Sequence, residues 1–416
     1  MSLKPVSAVR VSLWGRVVGV IAGQTAGYYR FEYDPDFIAS GIEISPIRMR
    51  LRPGVIVCND LPIANFRGLP PVFADSLPDS FGNELVNEWM RCQGISVESV
   101  TPLDRLAYVG SRGMGALTYE PVRGPRRSGS TAINMRRIVQ DAQLALNGRL
   151  SSMSGGAALK EIFRVGTSAG GAQSKAVVGW NRNTNQFCVG TGELPEGYEH
   201  WMVKITPEER PYCGIAEYRT YEKAVACGVE ISESRLFELD GVRHFMTKRF
   251  DREGARRHHL QTLRAMRHLV DERMGVDSLS YDQLFMTIEE LRMGYEEREQ
   301  MFRRMAFNVY ADESDDHSKN FSFLLHEGGR WTLAPAYDLT GASHRRHLRT
   351  IRAANGRTAT RFRSTASSPI SPMTIFSPSL TAMPSEPLQK SLPRSRKSSS
   401  KALGVAVNDR KLLLEM

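Results

Sequence analysis

No apolar run in the chain approaches the roughly 18 residues that a membrane span needs, so no membrane association is expected. Met1 to Trp14 has too few consecutive apolar residues to read as a secretory leader, and a cytoplasmic location is expected. Cysteine is scarce. The five present (Cys58, Cys92, Cys188, Cys213, Cys227) form no CxxC pair, which excludes a disulfide framework and a structural zinc site and leaves reduced core or surface thiols. HExxH is absent, so His258, His259 and His268 read as part of a solvated basic stretch, not a hydrolytic metal site. Acidic charge is short too, with 45 Asp and Glu against 55 Lys and Arg, a formal net charge of +10. Much of that excess lies beyond His344, in Arg345-Arg346-His347 and Arg394-Ser395-Arg396-Lys397. The body is closer to balance, so the charge is weak support for direct nucleic-acid contact.

What is present belongs to a globular chain: 416 residues, 41% hydrophobic and 24% charged, enough for two or three lobes. Residues 9–74 read as short strands, with Val9 to Val20 alternating around Gly15 and Gly19 and further β-rich pieces around Pro53-Gly54 and Pro70-Pro71. Asp79 to Gly94 is helical, with Phe81, Leu85, Val86 and Trp89 on one stripe. Arg123 to Gly129 looks like a linker, and Ile133 to Leu150 has helical spacing. From Phe163 the order is strand, Gly-rich turn, strands at Ala176–Trp180 and Trp201–Ile205, a helix from Ala216 to Gly228, then strands near Leu236 and Phe245. Residues 281–312 are mostly helical, and a polar loop from Asp312 to Lys319 precedes strands at Phe321–Leu325 and Trp331–Leu333. Residues 355–400 are rich in Ser, Pro, Arg and Thr without sustained period, the pattern of a disordered basic tail or of a changed coding frame near Gly341.

The strongest chemical signal is Asp315-Asp316-His317-Ser318-Lys319-Asn320, followed by Pro335-Ala336-Tyr337-Asp338. Phosphoryl transfer needs one carboxylate to orient the attacking hydroxyl and take its proton, and an amide oxygen with a second carboxylate to hold Mg²⁺ on the phosphates. Asp315, Asn320 five residues later, and Asp338 beyond two strand-like segments have that arrangement, and Lys319 could neutralise the migrating phosphoryl group. An Asx-rich surface turn would use the same residue types. A second signal is Val165-Gly166-Thr167-Ser168-Ala169-Gly170-Gly171-Ala172-Gln173-Ser174-Lys175, whose small residues let backbone N–H groups approach phosphates, although it lacks the GK[ST] ending of a Walker loop. The third is Lys204, a cation in the apolar strand Trp201-Met202-Val203-Lys204-Ile205, which needs a partner; Glu217 and Glu222 on the next helix are both candidates. The order of loop, lysine, glutamate, Asp/Asn and late Asp is that of a kinase.

These residues, with Leu77-Pro78-Asp79-Ser80-Phe81-Gly82, Val109-Gly110-Ser111-Arg112-Gly113-Met114-Gly115-Ala116-Leu117 and Ala334 to Leu339, resemble the HipA family of toxin kinases from about Val9 to Leu339. The resemblance implies an α+β, protein-kinase-like bilobal fold with a β-rich N-terminal subdomain and a mostly helical C-terminal lobe. It divides the chain into an N-terminal subdomain (1–122), a small lobe with the Gly-rich loop (123–255), a catalytic large lobe (256–340) and an atypical tail (341–416). It implies ATP and Mg²⁺, with Asp315 as base, Lys319 beside it, and Asn320 and Asp338 on the metal. The nucleotide contacts it implies are Ser168, Ala169, Gly170, Gly171, Ala172, Gln173, Lys175, Lys204, His317, the hinge Lys248 to Phe250, and Gln261. Ser168 matches the serine that such kinases autophosphorylate as an off-switch; a phosphate of about −1.5 to −2 charge there would repel bound ATP. The implied partners are a small helix-turn-helix, HipB-like antitoxin, through which DNA is contacted, and a protein substrate such as an aminoacyl-tRNA synthetase. The rival readings are a catalytically impaired nucleotide-binding corepressor of the same antitoxin, marked by ATP binding without turnover, and a small-molecule kinase of related fold.

Overall fold

The computed structural model describes residues 5–124, 132–146, 173–273, 276–277, 279–313 and 315–341. The Gly-rich residues Ser168 to Ala172, most of the linker and the atypical tail lie outside them. Among the described residues no helix is long and apolar enough to cross a membrane.

The first third is a five-stranded antiparallel sheet in the order β4-β3-β2-β1-β5, made of β1 (Ala8–Leu13), β2 (Arg16–Thr25), β3 (Tyr28–Tyr33), β4 (Val55–Ile56) and β5 (Leu117–Glu120). Val9, Val11 and Leu13 alternate inward along β1 onto Ile21, Phe31 and Phe73. Three short helices interrupt the strands: α1 (Pro35–Ser40), α2 (Ile63–Phe66) and α3 (Pro71–Ala74). The Pro70-Pro71 piece is thus a helix start and not β: Pro71 sits in the first turn, where its missing N–H costs nothing. Asp79 caps α4 (Ser80–Cys92) by accepting from the Gly82 N–H at 2.6 Å, and α5 (Pro102–Val109) opens with a Thr101/Asp104 capping box.

After α6 (Met135–Leu146) comes a second five-stranded antiparallel sheet in the order β7-β6-β8-β10-β9, of β6 (Lys175–Asn181), β7 (Gln186–Val189), β8 (Tyr198–Lys204), β9 (Ser234–Leu239) and β10 (Val242–Lys248). Strand β7 has no counterpart in the pattern read from sequence. Helix α7 (Cys213–Ala226) packs on this sheet through Gly214, where a Cβ would come within 2.5 Å of the Arg243 carbonyl oxygen.

The C-terminal half begins with a β11 (Arg252–Glu253) and β12 (Arg256–Arg257) hairpin, then β13 (His259–Thr262), α8 (Leu263–Arg267), and a β14 (Asp271–Arg273) and β15 (Val276–Asp277) pair. Helices α9 (Tyr281–Glu290) and α10 (Tyr295–Tyr310) follow, and β16 (Ser322–Leu325) and β17 (Trp331–Leu333) complete a three-stranded sheet with β13. His258 and His259 are buried here, so the solvated reading is corrected. His259 lies on β13 with Nε2 3.0 Å from the Ile44 carbonyl, and His258 packs its ring on His326 at 4.4 Å. His268 is half-buried against Phe66.

The N-terminal sheet region meets the C-terminal half along β13. Asp75 accepts from the Thr262 N–H at 2.8 Å and from its hydroxyl at 2.9 Å, while that hydroxyl caps α8 by accepting from the Ala265 N–H. A second joint lies behind the turn leaving β10. Asp251, fully buried, accepts from Arg249 Nε at 2.9 Å and from the Gly115 N–H at 2.7 Å. The Gly113 and Gly115 carbonyls accept in turn from Arg252 at 3.1 and 3.0 Å, and Arg257 reaches Gly115 at 2.8 Å. Gly115 has φ +74°, and a Cβ there would meet the Leu260 nitrogen at 2.9 Å, so both conformation and space call for glycine.

Candidate active site

Strand β8 ends on Lys204, 3% exposed, whose Nζ contacts Glu217 on α7 and Asp338 beyond β17. Glu222 is exposed, so of the two candidates Glu217 is the partner. Five residues advance a helix by about 500°, which turns Glu222 well away from Glu217. Burial alone would lower the Lys204 pKa, but the Asp338 and Glu217 carboxylates outweigh it and raise it. Burial would lift the Asp338 carboxyl, yet Lys204 and Lys175 hold it well below the ordinary carboxylate range. The Glu217 carboxyl is raised by burial, with Lys204 opposing. Lys175, at the start of β6 and also buried, is lowered by burial, with Asp338 opposing and Lys204 adding to the effect. Asp338 has φ +58°, a left-handed conformation uncommon outside glycine and frequent where backbone is held for function.

The loop after α10 is built on its own backbone. The His317 N–H donates to the Asp315 carbonyl at 2.9 Å, the Asn320 N–H to the His317 carbonyl at 2.8 Å, and Asn320 Nδ2 to the Asp315 carbonyl at 2.9 Å. With its amide nitrogen so engaged, Asn320 has its amide oxygen as the group to offer a cation. Buried Glu313 ties this loop to the late Asp segment. It accepts from the Asp315 N–H at 2.9 Å, the Thr340 N–H at 2.6 Å and the Gly341 N–H at 2.7 Å. Tyr337 reinforces the tie by donating to the Lys319 carbonyl at 2.6 Å.

One cleft of about 580 Å³ collects Lys175, Lys204, Lys248, Phe250, His317, Lys319, Asn320 and Asp338 in its wall. That volume is in the range of small-molecule sites. Asp315 is not in that wall; it lines an adjoining recess that it shares with Asn320 and Asp338. The structure therefore brings the three residues together. Two expected contacts are elsewhere. Gln261 points to the opposite side of β13, donating to Ser45 at 2.9 Å, while its neighbours Leu260 and Thr262 face the cleft, so its expected place beside a nucleotide is corrected. Gln173 is turned onto the Ile205 carbonyl at 3.2 Å. At the hinge, the Lys248 N–H is taken by the Glu233 carbonyl at 2.8 Å and its ammonium by Glu199, while the Phe250 ring lies 5.4 Å from Tyr337.

Sequence reasoning missed the N-terminal contribution to this cleft, namely Asp75, Asp79, Asn83 and Met114. Burial pushes the Asp75 carboxyl up to about 6 against the Thr262 hydrogen bonds. The only signal was that Asp79 and Met114 fall within the quoted motifs at 77–82 and 109–117.

Chemically, the cleft offers lysines for phosphates, an ionised carboxylate and an amide oxygen for a cation, and apolar surface from Met114, Met202, Phe245 and Phe250. Among the described residues no group of three His, Cys, Asp or Glu is arranged to hold a metal unaided. Asn320 and Asp338, an amide oxygen and a carboxylate in one recess, fit a Mg²⁺ that shares its shell with phosphate oxygens.

Residues 9–120 match the HipA N-terminal domain, and residues 167–383 match the HipA-like C-terminal domain. A Haemophilus influenzae protein provisionally described as a kinase is 26% identical over 156 residues, which are 35% of this chain and 46% of that protein, so the match spans less than half of the relative. Among solved structures, the Shewanella oneidensis MR-1 toxin–antitoxin complex of HipA, HipB and operator DNA is similar in fold. Its TM-score is 0.54 at 16% identity, covering 80% of this chain and 76% of that one. With the C-terminal domain alone matching more than half of its length, the chain belongs to the HipA family.

Proposed function

We propose that this chain is an ATP-dependent serine/threonine-protein kinase, the toxin of a type II toxin–antitoxin pair. The observation that carries the reading is the convergence of Asp315, Asn320 and Asp338 on one recess beside the Lys204–Glu217 pair. Lys204 and Lys175 hold the triphosphate, with His317 at the same wall, and Asn320 and Asp338 hold Mg²⁺. The metal, when bound, neutralises charge on the phosphate oxygens. Asp315 orients the acceptor hydroxyl and takes its proton, and the tie through Glu313 keeps its loop in register with Asp338. Lys319, exposed at the cleft wall, offsets charge on the migrating phosphoryl group. The base lies along Lys248 to Phe250; with the Lys248 N–H already engaged, it meets other backbone atoms there.

The Gly-rich residues Ser168 to Ala172 are assigned to the phosphates, with Gln173 anchoring their exit from the loop. Ser168 is the proposed autophosphorylation site and off-switch. A cytoplasmic protein, such as an aminoacyl-tRNA synthetase, is the proposed substrate, and a HipB-like helix-turn-helix antitoxin the proposed partner, carrying the DNA contact. Incubation with γ-labelled ATP and a cytosolic extract tests the reading. Acid-stable label on a serine or threonine of an extract protein is expected. ATP bound without any transfer of label would overturn it in favour of the corepressor reading.

A further inference from the structure

The N-terminal subdomain reaches the hinge itself. Gly113, Met114 and Gly115 run beside Arg249, Phe250 and Asp251: Arg249 donates to the Gly113 carbonyl at 3.5 Å, and Gly115 donates to Asp251 at 2.7 Å. The residue between each bonded pair, Met114 on one side and Phe250 on the other, lines the cleft. Gly113 and Gly115 are buried while Met114 is only half-buried, so its side chain is the part of this segment that enters the cavity.

Asp251 and Arg249, 0% and 3% exposed, fix the two segments against each other. A flexible, polarisable thioether in a cleft that also holds a hinge aromatic fits the face of a flat, apolar ring system. We infer that Met114 is a specificity-determining residue for the nucleotide base, a part of the cleft wall supplied by the N-terminal subdomain near the hinge. This rests on the kinase reading above and adds to it that the base slot exists only when the N-terminal subdomain is docked. Truncating the chain to its C-terminal domain would then remove one side of the nucleotide site.

The test compares two probes by titration calorimetry on the full chain: MgATP, which needs base and phosphate contacts, and magnesium tripolyphosphate, which needs only the latter. Met114→Trp, which fills the slot, is expected to weaken MgATP by at least about 10-fold while leaving tripolyphosphate within about 2-fold. Matched melting curves show that the variant is folded. MgATP affinity unchanged in Met114→Trp, or both probes weakened equally, would overturn the assignment. Failure of the wild-type chain to bind MgATP, with tripolyphosphate still bound, would instead overturn the kinase reading and this inference with it.

Discussion

Lys204 and Asp251 each sit at the centre of a buried ion cluster, one in the cleft and one behind the hinge, and they differ in what completes their bonding. Around Asp251, itself 0% exposed, the surplus positive charge of Arg249 and Arg252 ends on the carbonyls of Gly113 and Gly115. Around Lys204 the bonding ends on Asp338, whose carboxylate side chain is 27% exposed and faces the cleft. Buried ion pairs contribute little net stability once desolvation is counted, but removing one partner is costly. A cluster closed by backbone therefore acts as a joint, and one left open on a cavity leaves a carboxylate exposed to the cleft.

Three measurements sharpen that contrast. The largest effect is expected for Asp251→Ala, which leaves two arginines buried without a counter-charge and should cost about 3–5 kcal/mol of unfolding free energy. Urea denaturation checks it, and a loss under about 1 kcal/mol would mean that the carbonyls alone hold the arginines. Asp338→Asn comes next: Glu217 still pairs with Lys204, so the urea midpoint should move little, while phosphate transfer falls about 10²–10³-fold. A variant with transfer intact would remove Asp338 from the metal.

The smallest effect is on pH. Burial lowers His200, His259 and His268 to about 4, whereas the unfolded chain protonates near 6.5. Stability from these groups is fully present above pH ~6.5 and is lost as pH falls toward 4. Asp75 works in the opposite direction, because its folded pKa of about 6 exceeds the unfolded value, so its contribution is lost as pH rises through that range. With Asp75 opposing, the three histidines give a net loss of stability between pH 6.5 and 5. A melting temperature that is flat or rising over that acidification would contradict the burial of the histidines.

The open cluster was more legible in the sequence than the closed one. Asp315 and Asn320 are close in sequence and belong to one loop, so spacing alone brings them near each other. Lys204 announced its need for a partner, but choosing Glu217 over Glu222 required the face of α7. Gln261 was misplaced because a strand alternates sides and nothing local says which side faces the cleft. His258 and His259 looked solvated within a run of charge, yet they run into β13, whose burial comes from residues more than two hundred positions away, such as Ile44. The joint at Asp251 was invisible for the same reason: its partners Gly113 and Gly115 are glycines offering only backbone.

MgATP affinity and single-turnover phosphate transfer, measured together in Asp315→Ala, decide whether Asp315 serves transfer from a nucleotide bound in the cleft. Asp315 is outside the cleft wall and touches the recess, so affinity should stay within about 3-fold while transfer falls about 10²–10⁴-fold. Transfer at the wild-type rate, or affinity lost to the same extent as transfer, would remove Asp315 from the role of base.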